Sequence, residues 1–241
     1  MKNRKDNREY SQIRPVKITK NFLNTAEGSV LIELGNTKVI CAVSIEDKLP
    51  AFLASRPEVQ QGWLTAEYSL LPRSTLTRTP RERNHVGGRT AEIQRLIGRA
   101  LRTIVNLHEV GPRTITIDCD VIQADGGTRT AAITGSFVAL YDALKKLKEK
   151  GIIQSLPIKD MVAAISVGIV KKRMLLDLSY EEDSNAAVDM NFVITKKERI
   201  IEIQGTAELI PFSKKDMDEM YELALSGVKQ LFDAQSSVLD I

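Results

Sequence analysis

Cysteine and histidine are scarce in this chain, with two of each among 241 residues. Cys41 and Cys119 stand in apolar strand patterns and form no C-x-x-C, which leaves little ground for a thiolate metal site or a thiol redox motif. Both read as small core residues in a reducing compartment. His85 and His108 are too few for a histidine metal cluster, and His108 falls at a helix end as a structural residue. Long apolar runs are missing as well. The longest, 162–170, is far shorter than a membrane span and is interrupted by Ser166 and Gly168. The opening MKNRKDNREY lacks the apolar stretch of a signal peptide, so a soluble, cytoplasmic protein with no membrane partner is expected. Charge is nearly balanced too: a net +3 is a weak argument for nucleic acid on its own. No segment fits G-x-x-x-x-G-K-[ST], which argues against a Walker-type nucleotide loop.

What is present is an ordinary globular composition, 43% hydrophobic and 27% charged, in a chain long enough for one domain or two closely joined lobes. Residues 1–14 form a charged arm. Strand patterns follow at 15–20, 29–34 and 38–45, the last two joined as a hairpin at Gly35-Asn36. A loop over 46–60, with Pro50 and Pro57, leads to a strand at 62–71 closed by Pro72. Residues 73–88 make a long polar loop without its own structure, of the kind that is functional or disordered. Helix patterns at 91–108 and 130–149 flank a strand at 114–122, the second helix stopped by Gly151. Further strands fall at 161–170 and 174–178, and a hairpin joins 188–195 to 199–204 across Lys196-Lys197-Glu198. A final amphipathic helix starts near Ser213, which with Asp216 resembles a capping box. Strands outnumber helices and the alternation is not strictly βα. The expected fold is mixed α/β (α+β), a single domain over 1–241 built as pseudo-repeated β-rich lobes.

The densest span is 114–134, TITIDCDVIQADGGTRTAAIT. Ile115, Ile117, Cys119 and Val121 alternate with Thr116, Asp118 and Asp120, so one side of the strand is apolar. The chain then turns at Gly126-Gly127 and enters a helix pattern through Ile133, Phe137, Leu140, Tyr141 and Leu144. Unpaired amides at a helix start, approached closely at glycine, favour an anion, and Arg129 adds a forked, permanently charged donor. An ordinary strand-to-helix connection fits a lone Gly-Gly turn equally well. A near-copy stands upstream, however: Gly87-Gly88-Arg89-Thr90 before a stripe of Ile93, Leu96, Ile97, Ala100, Leu101, Ile104 and Val105. Two such turns would aim two guanidinium groups at one anion.

Charges of one sign also cluster locally. Arg73, Arg78, Arg81, Arg83, His85 and Arg89 crowd one stretch, and Asp177, Glu181, Glu182, Asp183 and Asp189 another. Either run alone reads as a solvated loop. Asp183 and Asp189 have two further uses: to hold Mg²⁺ beside substrate phosphates, or to supply a general acid of raised pKa. Capping turns or pairing with surface lysines would account for the same spacing. Carboxylates with two arginines and glycine turns make phosphoryl or nucleotidyl transfer the leading reaction class.

The chain resembles ribonuclease PH from end to end. The blocks that carry the resemblance are IRPVKI at 13–18, AEGSVLIELGNTKVICAVSIE at 26–46, QGWLTAEYSLLPRSTLTR at 61–78 and GGRTAEIQRLIGRALR at 87–102. They continue with TITIDCDVIQADGGTRTAAITG at 114–135, MVAAISVGIV at 161–170, LDLSYEEDSNAAVDMNFV at 176–193 and IIEIQGTAELIPFS at 200–213. The resemblance implies a two-layer α/β fold of the ribonuclease PH type and a phosphate-dependent 3′-to-5′ exoribonuclease. In that reaction inorganic phosphate attacks the last phosphodiester of an RNA 3′ end, typically of a tRNA precursor, and releases a nucleoside diphosphate. It further implies phosphate binding by Arg89, Gly127, Thr128 and Arg129, a catalytic acidic pair at Asp183 and Asp189, and RNA contacts by Arg73 and Arg78. Mg²⁺ support at the aspartates and a homohexamer, a trimer of dimers, belong to the same implication. There are departures: Asn7 where the family often has Gly, Asn185 and Ala187 at positions frequently acidic, and Leu209-Ile210 for a common Gly-Glu pair. Two competing readings are a non-catalytic ring subunit that only binds RNA and a small-molecule phosphotransferase. The first would be marked by loss of the arginines or aspartates, and none is lost.

Overall fold

The computed structural model describes residues 4–56, 58, 60–82 and 85–241. Arg83 of the arginine run and Pro57 of the first loop lie outside them. The first half builds a five-stranded sheet from β1 (Val16–Lys20), β2 (Gly28–Leu34), β3 (Thr37–Glu46), β4 (Trp63–Leu70) and β5 (Thr114–Gln123), in the order β1-β2-β3-β5-β4. All neighbours are antiparallel except β4 and β5. The parallel pair needs a long crossover, and α2 (Gly88–Ile104) supplies it. The second half makes an antiparallel sheet of β6 (Val162–Val170), β7 (Arg173–Leu176), β8 (Val188–Thr195) and β9 (Ile200–Ala207), in the order β7-β6-β8-β9.

Two long helices, α4 (Thr128–Glu149) and α6 (Lys214–Leu239), complete the packing. α4 lies against β2 and β3 on one side and β6 on the other, and α6 packs on β6 and β1. Each lobe therefore lays one face of its sheet on helices. The single apolar stripe expected for α4 is not what is found: Thr130 to Leu140 are all buried, because both lobes claim the helix. Phe137, Ile133, Leu140 and Leu144 are fully enclosed, each worth about 1.5–3 kcal/mol relative to exposure. Cys41 and Cys119 face each other in register across β3 and β5 within this core.

Several segments depart from the sequence reading. The first long helix ends at Ile104 rather than at residue 108, since Val105 turns extended to pair with Ile158. A separate turn, α3 (Leu107–Val110), follows. Two short helices, α1 (Ala51–Ala54) and α5 (Tyr180–Asp183), fall where no periodicity marked them. The 72–79 part of the supposed structureless loop closes on itself through Thr79 N–H to the Pro72 carbonyl at 2.8 Å and Ser74 N–H to the Leu71 carbonyl at 2.9 Å. The three arginines of the charged arm, Arg4, Arg8 and Arg14, are buried, while Lys5, Asp6 and Glu9 are exposed. Asn7, at a position where glycine was the expectation, has φ 62°, a left-handed conformation that asparagine tolerates. The capping box at Ser213 and Asp216 is formed as expected.

Candidate active site

The site is built on the turn between β5 and α4. Gly126 and Gly127 take φ 76° and 64°, the left-handed region that a side chain disfavours. A Cβ on Gly126 would stand 2.5 Å from the Leu178 carbonyl oxygen and 2.7 Å from the Tyr180 nitrogen. Glycine there is what lets the entry to α5 dock on the turn. Gly127 is the N-cap of α4 and has no side chain to cap its first amides, so they stay available to an anion. From β4 the Tyr68 hydroxyl donates to Thr128 Oγ1 at 2.8 Å. Burial pushes the Tyr68 phenol above its usual range, which keeps it a donor.

Behind the turn lies an ion network that the sequence reading missed. Asp177 is fully buried and accepts from Arg14 at its backbone N–H (2.7 Å), Nε (2.8 Å) and Nη2 (2.6 Å), with Arg8 Nη1 at 3.3 Å. Arg14 Nη1 also donates to the Asp125 carbonyl, and Thr37 Oγ1 donates to the Gly126 carbonyl at 2.6 Å. These bonds turn the carbonyls inward and fix the turn. Arg4 grips Glu182 through Nε at 2.8 Å and Nη2 at 2.7 Å, which anchors α5.

The upstream turn is a copy in sequence but not in conformation. Gly87, the N-cap of α2, has φ −62°, and Gly88 is not left-handed. A Cβ on Gly88 would meet nothing within 4 Å. Arg89 and Arg129 nevertheless both lie within electrostatic range of Asp183. Burial lifts the Asp183 carboxyl above its ordinary value, and the guanidiniums of Arg129 and Arg89 both oppose that rise. Both also act on the Tyr68 phenol. The first turns of two helices thus place their cations where both act on one carboxylate. Asp183 itself ends α5 as an exposed residue.

Asp189, on β8 opposite Gly168 and Thr206, is raised by burial first and then by the neighbouring Asp183 and Glu208 carboxylates. Glu208 and Tyr68 were not singled out from the sequence. The Asp183 carboxylate thus makes ionisation of Asp189 less favourable. Among the described residues no three His, Cys, Asp or Glu side chains converge as a metal cage. Two carboxylates do suit Mg²⁺ when it retains waters and substrate oxygens.

Arg73 and Arg78 stand apart from this cluster, exposed on the 72–79 loop. Arg73 Nη1 donates to the Leu76 carbonyl at 3.1 Å, within its own loop. The loop is tied to the site all the same, because Ala124 N–H donates to the Ser74 carbonyl at 2.8 Å just ahead of the glycine turn. No helix among the described residues is long and apolar enough to cross a membrane.

The comparisons agree with this architecture. Residues 12–146 match the model of the 3′ exoribonuclease family, domain 1, and residues 160–227 that of the same family, domain 2. Rice (Oryza sativa) Rrp46 shares 21% identity at a TM-score of 0.78, over 98% of this chain and 100% of that one. A chain of the Archaeoglobus fulgidus exosome, with RNA bound to the active site, gives 22% and 0.80 over 95% and 91%. An archaeal exosome core gives 21% and 0.75 over 96% and 89%. With two matched segments spanning most of its length, the chain belongs to the 3′ exoribonuclease family of ribonuclease PH.

Proposed function

We propose that this protein is a phosphate-dependent 3′-to-5′ exoribonuclease that trims RNA 3′ ends, those of tRNA precursors among them. The observation that carries the reading is the uncapped start of α4 at Gly127, with Arg129 in its first turn and tied through Gln204 to Glu92 on the helix that carries Arg89. Arg89, Arg129 and the Gly127–Thr128 amides would hold orthophosphate, whose oxygen attacks the terminal phosphorus. The bond from that phosphorus to the upstream 3′ oxygen breaks, and a nucleoside diphosphate leaves. Asp183, its carboxyl raised by burial, donates a proton to the departing 3′ oxygen. Asp189, joined by Asp183 once its proton has gone, would hold Mg²⁺, which would supply charge stabilisation at the transferring phosphoryl group. Arg73 and Arg78 pair with the RNA backbone.

The exosome relatives support assembly with further subunits, and we place this chain in a homohexamer, a trimer of dimers. Light scattering should then return six times the 26.8 kDa chain mass. The test of the reaction is product analysis of a 3′-extended tRNA digested with and without phosphate. Diphosphates that appear only with phosphate are expected. Equal trimming without phosphate overturns the mechanism, and RNA binding with no cleavage in either case identifies a non-catalytic subunit instead.

A further inference from the structure

The guanidinium of Arg129 has one hydrogen bond to protein among the described residues, and it goes to a neutral amide. Arg129 Nη1 donates to Gln204 Oε1 at 3.1 Å. Gln204 Nε2 in turn donates to Glu92 Oε1 at 3.1 Å and Glu202 Oε1 at 3.3 Å. Glu202 is held on its far side by Arg99 Nη1 at 2.8 Å. The amide has only one acceptable orientation: reversed, its oxygen would face two carboxylates and its NH₂ a guanidinium. Gln204 sits on β9, Glu92 is on α2 three residues after Arg89, and Arg129 opens α4. One side chain therefore links both arginine-bearing helices.

From this geometry we infer that Gln204 is the positioning residue that orients Arg129 for orthophosphate without cancelling its charge. A carboxylate at this point would hold the guanidinium more tightly but would neutralise it as an ion pair, leaving less to attract an anion. An amide fixes direction and leaves the full charge facing the site. The inference rests on the phosphate reading above, and its test separates the two. Orthophosphate affinity of the full chain is measured by calorimetry without RNA. Phosphorolysis is then followed with phosphate varied at saturating RNA, and with RNA varied at saturating phosphate.

Gln204→Met keeps the shape and removes both hydrogen-bonding ends. Its KM and Kd for phosphate should rise about ten-fold, with kcat at saturating phosphate and the KM for RNA within about two-fold of wild type. Gln204→Glu should weaken phosphate binding further, although it retains an acceptor for Arg129. Equal orthophosphate affinity in wild type and Gln204→Met overturns the inference. So does a loss of kcat, RNA affinity and thermal stability together, which is the mark of a merely structural residue. Indifference of the wild type to phosphate during RNA digestion overturns the proposed reaction, whatever Gln204 does.

Discussion

Asp177→Asn isolates what the buried network contributes. Asp177 has φ 55°, a conformation asparagine also tolerates, so the exchange leaves the backbone alone and removes the charge. Its Oδ1 now meets Arg14 Nη2 at 2.6 Å, and its Oδ2 meets Arg14 Nε at 2.8 Å and Arg8 Nη1 at 3.3 Å. An amide offers one acceptor where two oxygens served, and its NH₂ would oppose a guanidinium. Removing one partner of a buried ion pair costs about 3–5 kcal/mol because the other charge stays buried and uncompensated. In a chain of this size each kcal/mol moves Tm by about 2–4 °C, so a fall of roughly 6–20 °C is expected by calorimetry at pH 7. Asp6→Asn is the control. That carboxylate pairs with Arg8 Nε at 2.6 Å from a side chain 44% exposed, and losing it should cost less than about 1 kcal/mol. Because Arg14 also holds the glycine turn, the KM for phosphate should rise in Asp177→Asn. A Tm within about 2 °C of wild type would refute the network's role.

Other expectations follow from single contacts. Gly126→Ala forces a Cβ to within 2.5 Å of the Leu178 carbonyl at positive φ, and should cost more than about 1–2 kcal/mol in chemical denaturation. Gly88→Ala meets nothing and should leave stability unchanged or slightly higher, so equal losses in the two would contradict the close-approach argument. Asp189 binds its proton more tightly in the folded than in the unfolded chain, where the ordinary value is 3.8. Its contribution to stability is complete below that value and is lost as pH rises through the elevated folded pKa. Asp189→Asn should therefore raise Tm at pH 7, with the gain vanishing below pH 3.8 in thermal scans across pH; a lower Tm at pH 7 would refute the burial argument. Arg78→Ala should weaken RNA binding and flatten the slope of log K against log salt by about 0.7, measured by fluorescence anisotropy.

Much of the fold was legible because the alternation in β2, β3 and β5 and the stripe of α2 are enforced by one buried face each. α4 misled because a helix shared by two lobes is buried nearly all round, and its stripe marks no single direction. α5 carried no period to read; it exists because Ser179 and Glu182 cap each other and Arg4 clamps Glu182. The anchoring of the arm was not legible because arginine usually stays solvated, and only the fold brings Asp177 to meet it. At the site, the glycine turn and its arginine were readable as local features. That Arg89 would join them depends on where α2 runs after β4, which no local pattern encodes. Gln204 lay inside a quoted block and drew no notice, since a glutamine on a strand has no chemistry until its partners are known.

The central claim concerns where the orthophosphate goes. With ³²P-labelled orthophosphate and unlabelled RNA, the β-phosphate of each released nucleoside diphosphate should carry the label, in proportion to ends trimmed. Release of unlabelled monophosphates would mean that water, not phosphate, is the nucleophile, and would contradict the account.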